Sequence, residues 1–181
     1  IGKEGAGQVV LVGAPNVGKS SLVTALTHAT PEISPAPFST WSPTPGMMET
    51  EDIQIQLVDL PPINRDYMDQ GYFDLVRRSD LILLLVDIQS DPFQQLNEAL
   101  AILGDNRIVP ARFGFPDEQE FRTTRVPLQV IANKTDSSAY DENVAIVSEL
   151  LEENWPLLAI SAKYGRNLAD LKSVIFQRLE I

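Results

Sequence analysis

Short apolar runs alternate with amphipathic stretches along the chain, and the alternation predicts its elements. Gln8 to Val12 (QVVLV), Leu81 to Val86 (LILLLV), Leu128 to Ala132 (LQVIA) and Leu157 to Ile160 (LLAI) read as buried strands, and Ile53 to Val58 alternates with period 2, as a strand with one buried face does. Helical periodicity predicts helices over about Lys19 to His28, one ending near Arg77 and Arg78, Phe93 to Leu103, Ala139 to Asn154, and Leu168 to Leu179. Asp91 and Pro92 cap the third of these and Gly104 stops it. About six strands and five helices in βαβ order imply a three-layer α/β/α domain around a mostly parallel sheet. Seven of the 13 prolines (Pro31, Pro35, Pro37, Pro43, Pro45, Pro61, Pro62) fall within residues 31 to 62, which predicts a long exposed loop there.

A chain of 181 residues with 44% apolar and 22% charged positions is one ordinary globular domain. Its formal charge of −11 opposes the phosphate backbone of DNA or RNA, so direct nucleic-acid binding is not expected. Without cysteine it has no disulfide, thiolate nucleophile or Cys-based zinc site, and the single histidine, His28, cannot build a metal cage. The longest apolar run, Leu81 to Val86, is far short of the roughly 20 residues that cross a bilayer. Starting at Ile1 without a signal pattern, the sequence reads as a domain, residues 1 to 181, excised from a longer protein. Residues 104 to 126 break the βαβ rhythm and read as an inserted segment. It holds four of the nine arginines (Arg107, Arg112, Arg122, Arg125) against Asp105, Asp117, Glu118 and Glu120, and is either a contact surface or a decorated loop.

Four motifs carry chemistry. Gly13-Ala14-Pro15-Asn16-Val17-Gly18-Lys19-Ser20 fits G-x-x-x-x-G-K-[ST] between a strand and a helix. Glycine lets the backbone curl so that successive N–H groups face an anion, the helix N-terminus adds its dipole, Lys19 reaches the β- and γ-phosphates, and the Ser20 hydroxyl ligates Mg²⁺. Gly13, Asn16, Val17, Gly18, Lys19, Ser20 and Ser21 are therefore the expected phosphate-binding residues. Asp59, ending the period-2 strand in Leu57-Val58-Asp59-Leu60-Pro61, is placed to hold Mg²⁺ through water. Asn133-Lys134-Thr135-Asp136 and Ser161-Ala162-Lys163 each follow a strand, at the edge where open α/β sheets bind ligands. The Asp136 carboxylate can accept from N1–H and N2–H₂ of guanine, which adenine cannot offer, and the Ala162 amide can donate to O6.

Taken in order, GAPNVGKS, DLP, NKTD and SAK resemble the motifs of Ras-like GTP-binding proteins over the whole chain. Pro37-Phe38-Ser39-Thr40 with Pro45-Gly46, IQLVDLP and SDLILLLVD resemble the Obg group, closest to its developmentally regulated GTP-binding (Drg) branch. The resemblance implies a Ras-like P-loop fold, a GTP/GDP switch with Mg²⁺, a cytoplasmic protein, and ribosome association through regions beyond this domain, which in Drg-like proteins include a TGS domain. It also implies that Thr40, 19 residues before Asp59, ligates Mg²⁺ and senses the γ-phosphate, with Thr44 as runner-up. Lys19 and Thr40 are then the catalytic candidates, Ser20, Thr40 and Asp59 the metal ligands, and Asn16 a K⁺-associated residue, as in potassium-activated relatives.

One departure matters. The family motif Asp-x-Pro-Gly places a glycine amide on the γ-phosphate, and here that position is Pro62, which has no N–H. A charge-assisted hydrogen bond on the order of 1.5–3 kcal/mol is missing. Ile63 stands where Ras-like enzymes have a water-orienting glutamine, so slow hydrolysis is expected. The main alternative is a hydrolysis-deficient GTP-binding scaffold; an ATP-using P-loop kinase has no need of NKTD. Arg65 reads as ion-paired or solvated rather than phosphate-binding, and Trp41, Phe38, Met47 and Met48 as packing on the sheet or as an apolar loop patch.

Overall fold

The computed structural model describes residues 5–27, 44–50, 52–66, 68–111, 123–151 and 156–180. Its strands are β1 (Gln8–Gly13), β2 (Thr44–Thr50), β3 (Ile53–Asp59), β4 (Leu81–Asp87), β5 (Ile108–Ala111), β6 (Thr124–Asn133) and β7 (Leu157–Ala159). Its helices are α1 (Lys19–Thr27), α2 (Gln70–Arg78), α3 (Pro92–Asp105), α4 (Asp141–Leu150) and α5 (Leu168–Arg178), with a 3-10 turn at Ser138–Tyr140. The sheet runs β2-β3-β1-β4-β6-β5, and β7 also pairs with β6. Every described pairing is parallel except β2 with β3.

Two apolar clusters, one on each face of the sheet, make the three layers. Val10, Val12, Ile82, Leu84 and Val130 face Tyr72, Val76, Leu96 and Ile102 of α2 and α3. Val9, Leu11, Leu57, Leu83 and Ile131 face Leu22 and Leu26 of α1 and Leu171 and Ile175 of α5. Alternate residues of one strand thus point to opposite clusters, which is why β1 and β4 read as unbroken apolar runs.

Among the described residues the sheet has seven strands, in keeping with the mostly parallel sheet of about six expected; β2 and β5 have no clear apolar pattern. Two expectations change. The long exposed loop expected within residues 31 to 62 gives way to a strand at residue 44: Thr44–Thr50 pairs antiparallel with all of β3, and Met48 is fully buried in the α1 side of the core, although Pro45 stands at this sheet edge, where proline is tolerated. β3 is buried on both faces from Ile55 to Val58, not on one; its polar Gln56 is buried because Gln8 Nε2 on β1 donates to Gln56 Oε1 at 2.8 Å. The segment 104–126 is built into the domain at both ends, with Ile108–Ala111 parallel to Thr124–Pro127, so it extends the sheet edge. Residues 112–122 between these strands lie outside the described residues, as do His28, Phe38 and Trp41.

The chain leaves β1 toward β3 on one side and β4 on the other. That reversal opens a crevice at the carboxyl ends of the strands, where Gly13, Asp59, Asp87 and Asn133 lie together.

Candidate functional site

β1 ends at Gly13 and α1 begins at Lys19, leaving a five-residue loop between them. Asn16 (φ 65°) and Gly18 (φ 95°) are in left-handed conformations, which turn the loop backbone inward. A Cβ on Gly18 would sit 2.3 Å from Asn133 Nδ2, so glycine is required there for space as well as for φ. Lys19 is 6% exposed, and its Nζ is 3.4 Å from the carbonyl oxygens of Gly13 and Ala14. Burial holds its pKa below the ordinary lysine value, while the nearby Asp59 carboxylate pulls it back up.

Ser20 Oγ donates to Asp59 Oδ2 at 2.7 Å. Burial raises the Asp59 pKa above the usual carboxylate value, and the Ser20 hydrogen bond and the Lys19 charge oppose that rise. Both residues line a cleft of about 570 Å³, also lined by Asn16, Lys19, Ser21, Pro62 and Lys134. Ser20 would hold Mg²⁺ through its hydroxyl and Asp59 through a water of the ion's shell. Among the described residues no group of three or more His, Cys, Asp or Glu is gathered. Mg²⁺ takes one or two protein oxygens and completes its shell with water and substrate phosphates. Thr40, the third expected ligand, lies outside the described residues; Thr44 is in β2, its backbone in register with Asp59.

Asn133 ends β6 fully inside the protein and braces two loops. Its Nδ2 donates to Val17 O at 2.9 Å, and its Oδ1 accepts from the Ala162 amide at 3.1 Å. Lys134 follows in a left-handed conformation (φ 65°), and the Thr135 amide donates to Ile160 O at 3.0 Å, tying the turn to the strand-end segment after β7. Asp136 Oδ1 accepts from Ser161 Oγ at 2.6 Å, so the NKTD and SAK segments form one unit. Lys163 is exposed, with its ammonium 5.2 Å from the Tyr164 ring centre.

Beyond Asp59 the chain is held without the missing glycine amide. Pro62 is exposed, but the Ile63 amide donates to Gly13 O at 2.9 Å and the Ile63 side chain enters the core at 8% exposure. Ile63 is thus an anchor of this segment, with its amide directed at the phosphate loop. Arg65 lies 3.5 Å from Asp105 on the surface, and both are more than half exposed.

Two residues of the site escaped the motif analysis. Asp87, at the end of β4, pairs with Lys134 at 2.9 Å. Gln89, two residues on, donates from Nε2 to Lys134 O at 2.8 Å and to Asp136 Oδ2 at 3.1 Å. The available signal was their position: both follow a buried strand at the ligand-binding edge of the sheet.

The chain is similar to known proteins. GTPase Obg of Deinococcus radiodurans is 32% identical over 94% of this chain and 39% of its own length. GTPase Obg of Bacillus licheniformis is 29% identical over 95% of this chain and 40% of its own length. The chain therefore spans about 40% of these curated relatives. The crystal structure of Aquifex aeolicus Era bound to GDP and AlF4⁻ superposes with a TM-score of 0.68 at 21% identity, covering 95% of this chain and 56% of that one, which establishes the Ras-like P-loop GTPase fold. The model of the 50S ribosome-binding GTPase family matches residues 8–112. That match covers more than half of the chain and contains both the phosphate loop and Asp59, and the chain belongs to this GTPase family.

Proposed function

We propose that this domain binds Mg-GTP and Mg-GDP in the cleft at the carboxyl ends of β1, β3 and β6, works as a nucleotide-dependent switch, and hydrolyses GTP slowly. One observation carries the reading: Ser20 Oγ and Asp59 Oδ2, 2.7 Å apart, share a cleft with Lys19 and Lys134. In this reading the phosphates lie against the Gly13 to Ser21 backbone, Lys19 donates to β- and γ-phosphate oxygens, and Asp136, Ala162 and Lys134 receive the base, flanked by Asn133, Ser161 and Lys163. Mg²⁺, held by Ser20 and Asp59 and joined by Thr40, would neutralise charge on the phosphates. Water attacks the γ-phosphorus, the bond to the β–γ bridging oxygen breaks, GDP leaves and the proton passes to phosphate. Lys19 stabilises the charge that builds on the bridging oxygen.

Slow turnover follows from two features of the segment after Asp59. Pro62 offers no amide to the γ-phosphate, and the buried aliphatic Ile63 cannot orient water. The same features favour the second reading, a GTP-binding scaffold without effective hydrolysis. Asn16, on the cleft wall, is the residue through which K⁺ would assist. The chain is further assigned to the Drg branch on Pro37 to Thr40 and SDLILLLVD. A cytoplasmic, ribosome-associated role, exerted with regions beyond this domain, is in keeping with the family; among the described residues no helix is long and apolar enough to cross a membrane.

Calorimetry with Mg²⁺ tests the binding: heat for GDP and GTP, and none for ATP at equal concentration, is expected. No heat for either guanine nucleotide overturns the proposal. Phosphate release measured with and without K⁺ then separates enzyme from scaffold, since intact binding with no turnover under either condition selects the scaffold.

A further inference from the structure

We propose that Gln89 is a positioning residue for the base: its side-chain amide sets the Asp136 carboxylate in the orientation that reads both guanine donors at once. The inference rests on the reading of Asp136 as the base acceptor and extends it to a residue outside the recognised motifs.

A primary amide has two N–H donors, and Nε2 of Gln89 directs them to two acceptors of the base-reading turn, Lys134 O at 2.8 Å and Asp136 Oδ2 at 3.1 Å. Both partners are acceptors only, so the amide nitrogen, not its oxygen, must face them. Gln89 is itself anchored, because its backbone N–H donates to Asp87 Oδ1 at 2.9 Å while Asp87 Oδ2 pairs with Lys134 at 2.9 Å. The end of β4 and the turn after β6 are therefore closed into one network across 47 residues of chain.

The consequence lies at the carboxylate. Ser161 Oγ occupies one acceptor position on Oδ1 at 2.6 Å, and Gln89 occupies one on Oδ2. Each carboxylate oxygen has two acceptor positions, so one per oxygen is left. Rotation about the Cβ–Cγ bond would break one of the two protein hydrogen bonds, which holds the remaining pair in a fixed plane. N1–H and N2–H of guanine are two nearly parallel donors that need such a fixed pair. Without Gln89 only Ser161 restrains the group, and a single donor is then satisfied as readily as two.

The test compares GDP with inosine diphosphate, which keeps N1–H and lacks the 2-amino group. Dissociation constants are measured with Mg²⁺ on this chain for the native protein, Gln89→Ala, Gln89→Glu and Asp136→Asn. Gln89→Ala is expected to lower the preference for GDP over inosine diphosphate at least threefold. Gln89→Glu, of the same length but with acceptors facing acceptors, should lower it further. A role confined to bracing the turn would weaken both nucleotides in proportion, so an unchanged ratio in both variants overturns the proposal whatever happens to the affinities. Asp136→Asn tests the underlying reading, since its amide can donate to the 2-oxo group of xanthine. It should gain affinity for xanthosine diphosphate relative to GDP. Absence of that gain overturns the base assignment and this proposal together, whereas a gain beside an unchanged ratio overturns this proposal alone.

Discussion

Asn133 donates from Nδ2 to the carbonyl oxygen of Val17 at 2.9 Å, joining the NKTD turn to the phosphate loop across 116 residues of sequence. The same side chain accepts from Ala162, so one buried amide sets the spacing between the phosphate loop and the NKTD and SAK segments. Replacing it with alanine removes the side-chain partner of the buried Val17 carbonyl and of the half-buried Ala162 amide. Asn133→Ala should cost about 1–3 kcal/mol of unfolding free energy, read by urea denaturation, and weaken GDP binding at least tenfold. A stability loss without loss of GDP affinity would mean that the spacing is set elsewhere.

Gly18 lies directly under that contact. Gly18→Ala combines a left-handed φ of 95° with a Cβ 2.3 Å from Asn133 Nδ2, so the loop or Asn133 must move. A stability loss on the order of 1–3 kcal/mol and the loss of measurable GDP binding are expected in thermal melts and calorimetry. Native affinity in this variant would show that the loop accommodates a methyl group freely.

Lys19 carries a charge that the fold buries at a cost. Its amine is buried and lies 3.4 Å from two carbonyl oxygens. Lys19→Met keeps the length and removes the charge, so the nucleotide-free variant should be at least as stable as the native chain at pH 7 while GTP affinity falls more than a hundredfold. The lysine pKa is lower in the folded state than its ordinary 10.5, so the unfolded chain binds more protons between the two values. Native stability should therefore rise relative to Lys19→Met as pH climbs through the folded value toward 10.5. A flat difference across that range would contradict the burial argument.

Tyr72 is fully buried on α2, and its hydroxyl has no hydrogen-bond partner among the described residues. Burial, with a smaller contribution from the Asp59 charge, pushes its pKa well above that of free tyrosine. Tyr72→Phe keeps the ring and its edge-on contact with Phe73, 5.1 Å between centres, and removes the unpaired hydroxyl. The melting temperature should stay level or rise, corresponding to about 0–2 kcal/mol of added stability. A fall of several degrees would reveal a partner for the hydroxyl.

Pro62→Gly restores an amide at the position where the related motif has one. The GTP-over-GDP affinity ratio should rise several-fold, because the added N–H gains a γ-phosphate acceptor that GDP does not offer. No change would mean that the Ile63 amide, held by Gly13 O at 2.9 Å, keeps the segment out of reach of the nucleotide.

The site was legible in the chain wherever chemistry imposes a local spacing. A loop that wraps a phosphate needs glycine and lysine at set intervals between a strand and a helix, and Gly13 to Ser20 have them. NKTD and SAK likewise bring their donors and acceptors in fixed order after a strand. Gln56 was less legible: its polar side chain in a period-2 strand indicates a solvated face, and it is buried because Gln8 of the adjacent strand satisfies it. Asp87 and Gln89 were illegible as partners of Lys134 and Asp136, since nothing in the intervening residues marks the pairing.

The sequence by itself therefore determined the α/β alternation, the phosphate loop and the NKTD and SAK turns, because each depends on periodicity or on neighbours within one turn. Tertiary structure alone decided that β4 lies beside β6, that β2 closes the edge of the sheet, and that Asn133, Asp87 and Gln89 brace the loops between them. Strand order is set by which apolar faces bury together and by the register of backbone hydrogen bonds, quantities summed over the whole sheet and carried by no single stretch of chain.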